Sequence, residues 1–290
     1  MVSDLALARN FQSTTQDGQA AYFGDTWGNL YQYSLKDKSF VTLATRGCGQ
    51  PMHFAPAVVQ LDRLSGNQST FPGSIYVVQV TNSNLDATTQ TKSGSFPASE
   101  LIITKLKSAM GGTPTSDTFA STGTSQIVLS LEPADARFGI CSNTAVKKSD
   151  TACASGEAIP TTARPMGAPT ALLRGDGLGF QVITLWWDPA SIKNDCSSGH
   201  EFNYGTSYVT VHEFAADGTW YQVTGQAVTN SVVSGIAFVG MNLFMNGILS
   251  GSNDRASLSL GETFNPTQKL ANANAIERYL RTGWSELMDM

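Results

Sequence analysis

Side chains that most often perform chemistry are sparse and scattered in this sequence. Its three histidines, His53, His200 and His212, lie far apart, and His212 stands beside Glu213 in a stretch that reads as a strand. Neighbouring residues of a strand point to opposite faces, so this pair does not form an acid–base dyad. No nucleophile elbow, zinc-protease helix or phosphate-binding loop occurs in the sequence. We therefore predict that the protein is not an enzyme, with no catalytic or cofactor-binding residues.

One carboxylate occupies a distinctive position, in a turn between two apolar runs. Asp25 lies between Gly24 and Gly28. It could bind a metal ion or act as a catalytic group. A turn carboxylate more often accepts hydrogen bonds from backbone N–H groups, and the two glycines can take positive φ there. We predict that Asp25 caps the turn.

The four cysteines indicate disulfides rather than zinc. Cys141 and Cys153 bracket a polar loop of eleven residues, which predicts a bridge between them, and Cys48 with Cys196 is a candidate second bridge. Four buried free thiols are the alternative. There is no Cys-x-x-Cys pair for zinc. Because the polar N-terminus is no signal peptide, the chain is either cytosolic or part of a longer exported protein, and the cysteines favour export.

A receptor-binding tripeptide is also present. Arg174, Gly175 and Asp176 spell the sequence that integrins recognise. A turn in this glycine-rich stretch explains the same residues equally well. The tripeptide is therefore only a possible receptor site.

The elements that must hold these residues are β-strands. Residues 22–35 are predicted to form a strand, a turn at Asp25 to Gly28 and a second strand rich in aromatic residues. This is the pattern of a β-hairpin. Tyr31 and Tyr33 fall on one face of the second strand. The Ala216-Asp217-Gly218 segment predicts another hairpin turn.

Similar strand pairs recur along the chain. Pro51–Val59 resembles Pro165–Leu173, and each is followed by an apolar strand. About four such units can be traced, with strands near 5–8, 20–24, 30–35 and 40–43; 57–59, 74–80, 101–106 and 126–131; 165–173, 180–187, 208–214 and 220–223; and 233–239, 242–249 and 256–260. We predict an all-β fold, a modified β-propeller built of four-stranded antiparallel blades.

The remaining segments are expected to be peripheral. Polar composition predicts surface insertions at about 82–98, 110–124 and 138–163. Residues 1–264 would then form the blades with these insertions. Residues 265–290 begin with Asn265-Pro266 and continue with apolar residues near helical spacing, which predicts a short C-terminal helix and an anchoring tail.

Composition limits the classes of partner. The formal net charge is −5 and no basic cluster is present, so nucleic acid is not expected to be a partner. The uncharged run within residues 218–253 contains glycines and Asn242 and Asn246. We predict that this run forms two buried strands joined near residues 240–242 and that it does not span a membrane.

The sequence resembles a known protein family. Residues 22–31 (Tyr-Phe-Gly-Asp-Thr-Trp-Gly-Asn-Leu-Tyr) resemble the blade motif of the C-terminal domain of PilY/PilC-type proteins, the type IV pilus tip-associated adhesins. The motif positions are Gly24, Asp25, Gly28 and Asn29. Arg281 to Leu287, with Trp284, resembles the family's C-terminal ending, and weaker similarities at 195–208 and 233–244 follow the family's order.

The resemblance implies a fold, partners and a location. It implies a modified β-propeller at the C-terminal part of an exported bacterial protein at the pilus tip, cell surface or outer membrane. Such a module docks on minor pilins in the pilus tip complex and supports pilus assembly and retraction, adhesion to host or abiotic surfaces, and twitching motility.

Better-known members of the family carry a calcium loop rich in Asp beside such a blade. Calcium needs about six to eight oxygen ligands. Here Asp17 is the only carboxylate in the corresponding stretch, residues 14–20. Asp17 and Asp25 are therefore only weak candidate ligands, and no family-type calcium site and no other cofactor are expected.

Two other functions remain open. A carbohydrate-binding propeller would use exposed Trp and Tyr side chains as stacking platforms. A quinoprotein-type dehydrogenase, whose blades carry a related motif, would need a bound quinone, a calcium ion and a catalytic Asp.

Overall fold

The computed structural model describes residues 2–8, 20–47, 49–61, 64–65, 68–69, 73–82, 97–107, 113–131, 139–140, 157–174, 178–192, 204–239, 242–249 and 255–259. In this part of the chain nearly all regular structure is β-strand, with one short 3-10 turn at Pro189–Ser191. The strands pair in antiparallel fashion, which confirms the predicted all-β class.

The first two sheets follow the predicted strand groups. The first sheet has four strands in chain order: β1 (Ala6–Ala8), β2 (Ala20–Gly24), β3 (Asn29–Ser34) and β4 (Ser39–Thr45). The next strands are β5 (Ala57–Leu61), the small hairpin of β6 (Leu64–Ser65) and β7 (Gln68–Ser69), β8 (Ser74–Val80), β9 (Glu100–Lys107), β10 (Thr115–Ser116) and β11 (Gln126–Ser130). The second sheet contains β5, β8 and β9 in that order, and both β10 and β11 pair with β9.

The later strands form two more large sheets. They are β12 (Gly139–Ile140), β13 (Glu157–Ala158), β14 (Arg164–Pro165), β15 (Thr170–Leu173), β16 (Gly179–Asp188), β17 (Thr206–Ala215), β18 (Trp220–Thr229), β19 (Ser231–Val239), β20 (Asn242–Leu249) and β21 (Arg255–Ser259). The third sheet contains β14 to β18, and the fourth contains β19, β20 and β21. Pairing of Val239 with Asn242 confirms two strands in the uncharged run. Within the described residues, no helix is long and apolar enough to cross a membrane.

The strand sequences reflect how many faces each strand buries. Residues of β3 alternate between buried and half-buried positions. By contrast, β8, β16 and β17 are buried along almost their whole length. They lie in sheets that are covered on both faces, so both sets of alternating side chains must be apolar or internally paired.

Apolar layers join the sheets in sequence. The layer between the first and second sheets includes Tyr22, Leu30, Val77 and Ile102. The layer between the second and third includes Tyr76, Ile103, Phe180 and Trp186. The layer between the third and fourth includes Ile183, Val209, Val233 and Met245. Adjacent residues of β8 and of β9 therefore enter different layers, as the strand period requires.

The sheets are closest together near their first strands. β1 lies against β5, and β5 lies against β15. The fourth sheet differs, because its strand β19 lies against β16 and β17.

All three predicted surface insertions contain buried side chains, so their assignment to the surface is wrong at these positions. In segment 110–124, β10 pairs with β9 and Phe119 is buried, with its ring 5.9 Å from that of Tyr76. In segment 138–163, Ile159 and Ala163 are buried. Ala98, which ends the third segment, is buried as well. A few apolar residues within polar stretches are enough to hold them against the sheets.

Several predicted features lie outside the described residues. They are the C-terminal helix and tail at 265–290 with Trp284, the four cysteines, Asp17, and Gly175 with Asp176. The strands that bracket Cys141 and Cys153 are described, and they pair with each other, Ile140 with Glu157 and Gly139 with Ala158. The loop therefore begins and ends at one place, which agrees with the predicted bridge, although the bridge itself stays a prediction.

Two buried tyrosines are expected to respond differently to loss of the hydroxyl. The Tyr76 hydroxyl donates to the carbonyl oxygen of Ala216 at 3.1 Å. The Tyr22 hydroxyl has no hydrogen-bond partner among the described residues. Tyr76→Phe should therefore lower the free energy of unfolding by about 1 kcal/mol, whereas Tyr22→Phe should leave it unchanged or raise it. Urea unfolding of the two variants measures the difference, and equal losses would contradict this explanation.

Candidate functional site

The turn between β2 and β3 is organised by one carboxylate. Oδ1 of Asp25 accepts hydrogen bonds from the backbone N–H of Trp27 at 2.9 Å and of Asn29 at 2.8 Å. Oδ2 accepts from Nδ2 of Asn29 at 3.0 Å and from the hydroxyl of Tyr31 at 3.1 Å. The predicted role of Asp25 as a turn cap is confirmed.

These contacts also set the electrostatics of the turn. Burial acts to raise the pKa of Asp25, but the hydrogen bonds from Asn29, Tyr31 and Trp27 outweigh it and hold the pKa below its ordinary value. Burial and the contact with Asp25 raise the pKa of Tyr31. Both carboxylate oxygens already face hydrogen-bond donors, an arrangement that suits a structural anion better than a cation ligand. Across the described residues, no group of three His, Cys, Asp or Glu side chains is placed to hold a metal ion.

The two motif glycines are required for different reasons. Gly28 has a φ of 76°, as predicted. Gly24 does not adopt positive φ, and that expectation is wrong, because Gly24 ends the extended strand β2. A Cβ at Gly24 would instead lie 2.4 Å from Cβ of Met52. The motif needs glycine there because the chain segment after the first sheet packs directly against the backbone.

Alanine at Gly28 is expected to cost more than alanine at Gly47. Both residues have positive φ, which costs about 1 kcal/mol for a residue with a Cβ. A Cβ at Gly28 would also lie 2.3 Å from the carbonyl oxygen of Gly47, whereas a Cβ at Gly47 meets nothing within 4 Å. Gly28→Ala should therefore lower the free energy of unfolding by about 2–3 kcal/mol in total. Chemical denaturation of both variants tests the difference, and similar losses would show that the contact relaxes freely.

An aromatic cluster covers one face of the first sheet beside this turn. The ring of Phe23 lies 5.4 Å from that of Tyr31 and 5.9 Å from that of Phe40. The ring of Tyr33 lies 4.7 Å from that of Phe40. The predicted common face of Tyr31 and Tyr33 is confirmed, and strands β2 and β4 add a phenylalanine each.

The edges of this face are exposed to solvent, whereas its centre is covered, since Ala21 is buried and Phe23, Tyr31 and Tyr33 are half-buried. Leu7, Ala21, Tyr33 and Phe40 form one row across the four strands. At the two ends of the row, Leu7 is 70% exposed and Phe40 is 64% exposed; Leu5, two residues before Leu7, is 61% exposed. We name the set Leu5, Leu7, Ala21, Phe23, Tyr31, Tyr33 and Phe40 the outer face. The outer face was not among the predicted sites, although the hairpin register places Phe23, Tyr31 and Tyr33 on one side of the sheet.

The guanidinium of Arg174 is held within the protein. Nη1 of Arg174 donates to Oε1 of Glu213 at 2.7 Å, and Glu213 is buried. Oε2 of Glu213 accepts from Nε2 of Gln181 at 3.2 Å. This pairing gives the arginine of the tripeptide a structural role on the third sheet.

The predicted separation of His212 and Glu213 is confirmed. His212 is fully buried, with its ring 5.7 Å from that of Trp220, and Glu213 is on the other face of β17 with Arg174. Burial lowers the pKa of His212 to about 3. The imidazole is therefore neutral at physiological pH and is not poised for proton transfer.

Several other conspicuous polar and aromatic side chains are hydrogen-bonded within the protein. Trp186 is fully buried and its Nε1 donates to Oγ1 of Thr184 at 2.9 Å. Nε1 of Trp187 donates to the carbonyl oxygen of Tyr204 at 2.8 Å. Arg46 pairs with both oxygens of the buried Glu100, which ties the end of the first sheet to β9.

No protein-family model, curated protein or solved structure matches this chain. Inference about its activity therefore depends on the residues and the geometry described above.

Proposed function

We propose that this chain is the C-terminal propeller module of a type IV pilus tip-associated protein of PilY/PilC type. In this proposal it is exported and works at the pilus tip or the cell surface. It docks on minor pilins, and through them supports pilus assembly and retraction, attachment to host or abiotic surfaces, and twitching motility.

The observation that carries the proposal is the geometry of the motif turn within a stack of sheets. Each motif residue has a physical role: Gly24 allows close approach of Met52, Asp25 caps the turn, Gly28 takes positive φ and Asn29 donates twice to Asp25. The turn joins the second and third strands of a four-stranded antiparallel sheet. Four-stranded sheets arranged in this way are the unit of a propeller.

The arrangement of the sheets favours the same reading. Successive sheets pack face to face, and the first three are closest along their first strands. In a propeller, the first strand of each blade lines the axis. The four sheets would then be consecutive blades of such an array.

The polar side chains of the interior favour a binding module. Glu100 is paired with Arg46, Glu213 with Arg174, and Asp188 caps the turn at Pro189–Ser191 and accepts from Thr162 at 2.6 Å. These groups stabilise the sheets and their connections, which suits a structural and docking role.

The test is a binding experiment with soluble domains of the minor pilins encoded beside this protein in its own organism. The purified chain is immobilised and each pilin is passed over it, with and without EDTA, and the major pilin serves as the control. We expect saturable binding of a minor pilin that is insensitive to EDTA, since the Asp25 turn needs no cation to close. Binding lost in EDTA would indicate a calcium ligand set, and no binding by folded protein would overturn the assignment.

A second candidate is a carbohydrate-binding module, favoured by Trp27. Its side chain is 67% exposed in the Asp25 turn, and an exposed indole can stack on a sugar ring. A glycan array would reveal this activity as signals that disappear in Trp27→Ala. A blank array with folded protein would exclude the glycans displayed and leave the pilus-tip proposal in place.

A further inference from the structure

We infer that residues 113–124 form a strap that joins the outer parts of the first three sheets, and that this strap opens and closes as one unit. The inference goes beyond the proposed function and does not depend on it. Residues 113–124, named the strap below, include β10 and the turn that leads into β11. Opening of the strap at the first sheet would then release it at the third sheet as well.

The strap interrupts the outer strand of the second sheet. Both β10 and β11 pair with β9, one on each side of Lys105. The carbonyl oxygen of Lys105 accepts from the backbone N–H of Asp117 at 3.1 Å, and its own N–H donates to the carbonyl oxygen of Ser125 at 2.9 Å. The residues between Asp117 and Ser125 therefore leave the β9 ladder at this point and can reach another sheet.

One end of the strap is attached to the first sheet. Oγ1 of Thr113 donates to Oδ2 of Asp37 and is hydrogen-bonded to Oγ of Ser34 at 2.9 Å. Nε2 of Gln32 donates to the carbonyl oxygen of Pro114 at 2.9 Å, and both of these residues are buried. This end therefore joins β3 and the turn after it to the outer edge of the second sheet.

The other end of the strap is attached to the third sheet. Phe119 is 1% exposed, and its ring lies 5.9 Å from that of Tyr76. The backbone N–H of Ser121 donates to the carbonyl oxygen of Asp217 at 2.9 Å. A Cβ at Gly218 would lie 2.7 Å from Cδ1 of Phe119, so the turn between β17 and β18 packs directly on the strap. Contacts with the first and third sheets are thus made by one short segment.

The middle of the strap is held more weakly than its ends. β10 has two residues, both exposed, and the contacts of Lys105 Nζ with Oδ2 of Asp117 at 3.0 Å and with the carbonyl oxygen of Thr118 at 2.9 Å lie near the surface. The buried side chains of the strap are Pro114 and Phe119, one near each end. A segment with few buried contacts opens locally as a unit, so loss of one anchor should also make the other open more often.

Hydrogen exchange followed by NMR measures opening at both ends in the unaltered chain. The side-chain amide of Gln32 reports on the first-sheet end, and the backbone amide of Ser121 reports on the third-sheet end. We expect protection factors that agree within about threefold and that fall together as urea is added, because both amides exchange through one opening. Protection factors that differ and respond separately to urea overturn the inference.

Substitution of one anchor tests the response of the other. Phe119→Ala should make the Gln32 amide exchange at least ~10-fold faster, because opening no longer exposes a buried ring. Thr113→Val should make the Ser121 amide exchange at least ~5-fold faster, because the hydrogen bonds to the first sheet are lost. Effects that stay at the substituted end overturn the inference.

Two control variants separate the strap from general stability. Thr115→Val changes an exposed side chain of β10, between the two anchors. Ile159→Ala removes a buried side chain from the apolar layer that also contains Phe119, but outside the strap. Neither should change the exchange rate of the two reporting amides, because both amides exchange through local opening. Equal acceleration in Ile159→Ala and Phe119→Ala would mean exchange through global unfolding and would overturn the inference.

Added slack distinguishes coupling through the strap from coupling through the second sheet. About eight Gly and Ser residues inserted after Thr118 form a flexible linker between the two anchors. In this background, Thr113→Val should no longer accelerate exchange of the Ser121 amide. The same insertion after Thr122, beyond both anchors, is the matched control and should keep the coupling. Coupling that survives the insertion after Thr118 overturns the inference, and this comparison stays available if Phe119→Ala fails to fold.

Discussion

Acidification below pH 6.5 should destabilise this protein steeply, because one histidine is buried in the neutral form. The side chain of His212 is fully buried in the third sheet, and burial lowers its pKa from 6.5 to about 3. Between these values the unfolded chain binds a proton that the folded chain excludes. The free energy of unfolding should therefore fall as the pH falls, by about 1.4 kcal/mol per pH unit for this group.

The contribution of His212 can be separated from that of the carboxyl groups. Most carboxyl groups titrate below about pH 4.5, so the slope between about pH 5 and 6 reports mainly on histidine. Urea unfolding at a series of pH values should give a shallower slope for His212→Phe than for the original chain. His53→Gln is the control, since His53 is exposed, and it should keep the slope of the original chain. A slope that is unchanged in His212→Phe would show that other groups cause the acid sensitivity.

Loss of the Asp25 carboxylate is expected to be the most damaging change in the motif turn. Asp25→Ala removes the acceptor of four hydrogen bonds, two of them from backbone N–H groups, at a buried position. A hydrogen bond to a charged group contributes about 1.5–3 kcal/mol when its partner stays buried, and part of this is recovered by solvent at the turn. We expect a loss of about 3–5 kcal/mol in the free energy of unfolding.

Two matched variants test the cause of this loss. Asn at position 25 keeps one acceptor oxygen but places an NH₂ group near donors, so Asp25→Asn should fall between the original chain and Asp25→Ala. Asp217 caps the exposed hairpin turn between β17 and β18 by accepting from Thr219 at 2.9 Å and 2.7 Å. Asp217→Ala should cost only about 1 kcal/mol because water can replace its contacts. Equal losses at the two turns, measured by chemical denaturation, would contradict the importance of burial.

The places of the main strands along the chain could be predicted, because they depend on turn residues and on the alternation of apolar residues within a few positions. The turn residues of Asp25 to Gly28 and of Asp217 with Gly218 fix the hairpin register, and the alternation of apolar residues then assigns each side chain to a face. The groups of strands that the repeat indicated are the four large sheets of the structure. Closure of those sheets into a propeller stays a prediction.

Other features could not be read from local sequence because they depend on contacts distant along the chain. Segment 110–124 looks like an insertion, yet Phe119 is held by Tyr76 and the segment pairs with β9. Gly24 resembles a turn glycine, but Met52, which follows the first sheet, decides its role.

The sequence by itself thus determined the main strands, the role of Asp25 in its turn and the separation of His212 from Glu213, since these follow from the strand period and from hydrogen bonds within a few residues. The tertiary structure alone decided which sheet faces are covered. The outer face and the buried face of the first sheet are both rich in apolar residues, and only the packing of the second sheet against one of them leaves the other exposed. Alternation along a strand assigns its side chains to two faces, but it does not show which face is exposed to solvent. Burial of a face depends on the elements that pack against it after folding.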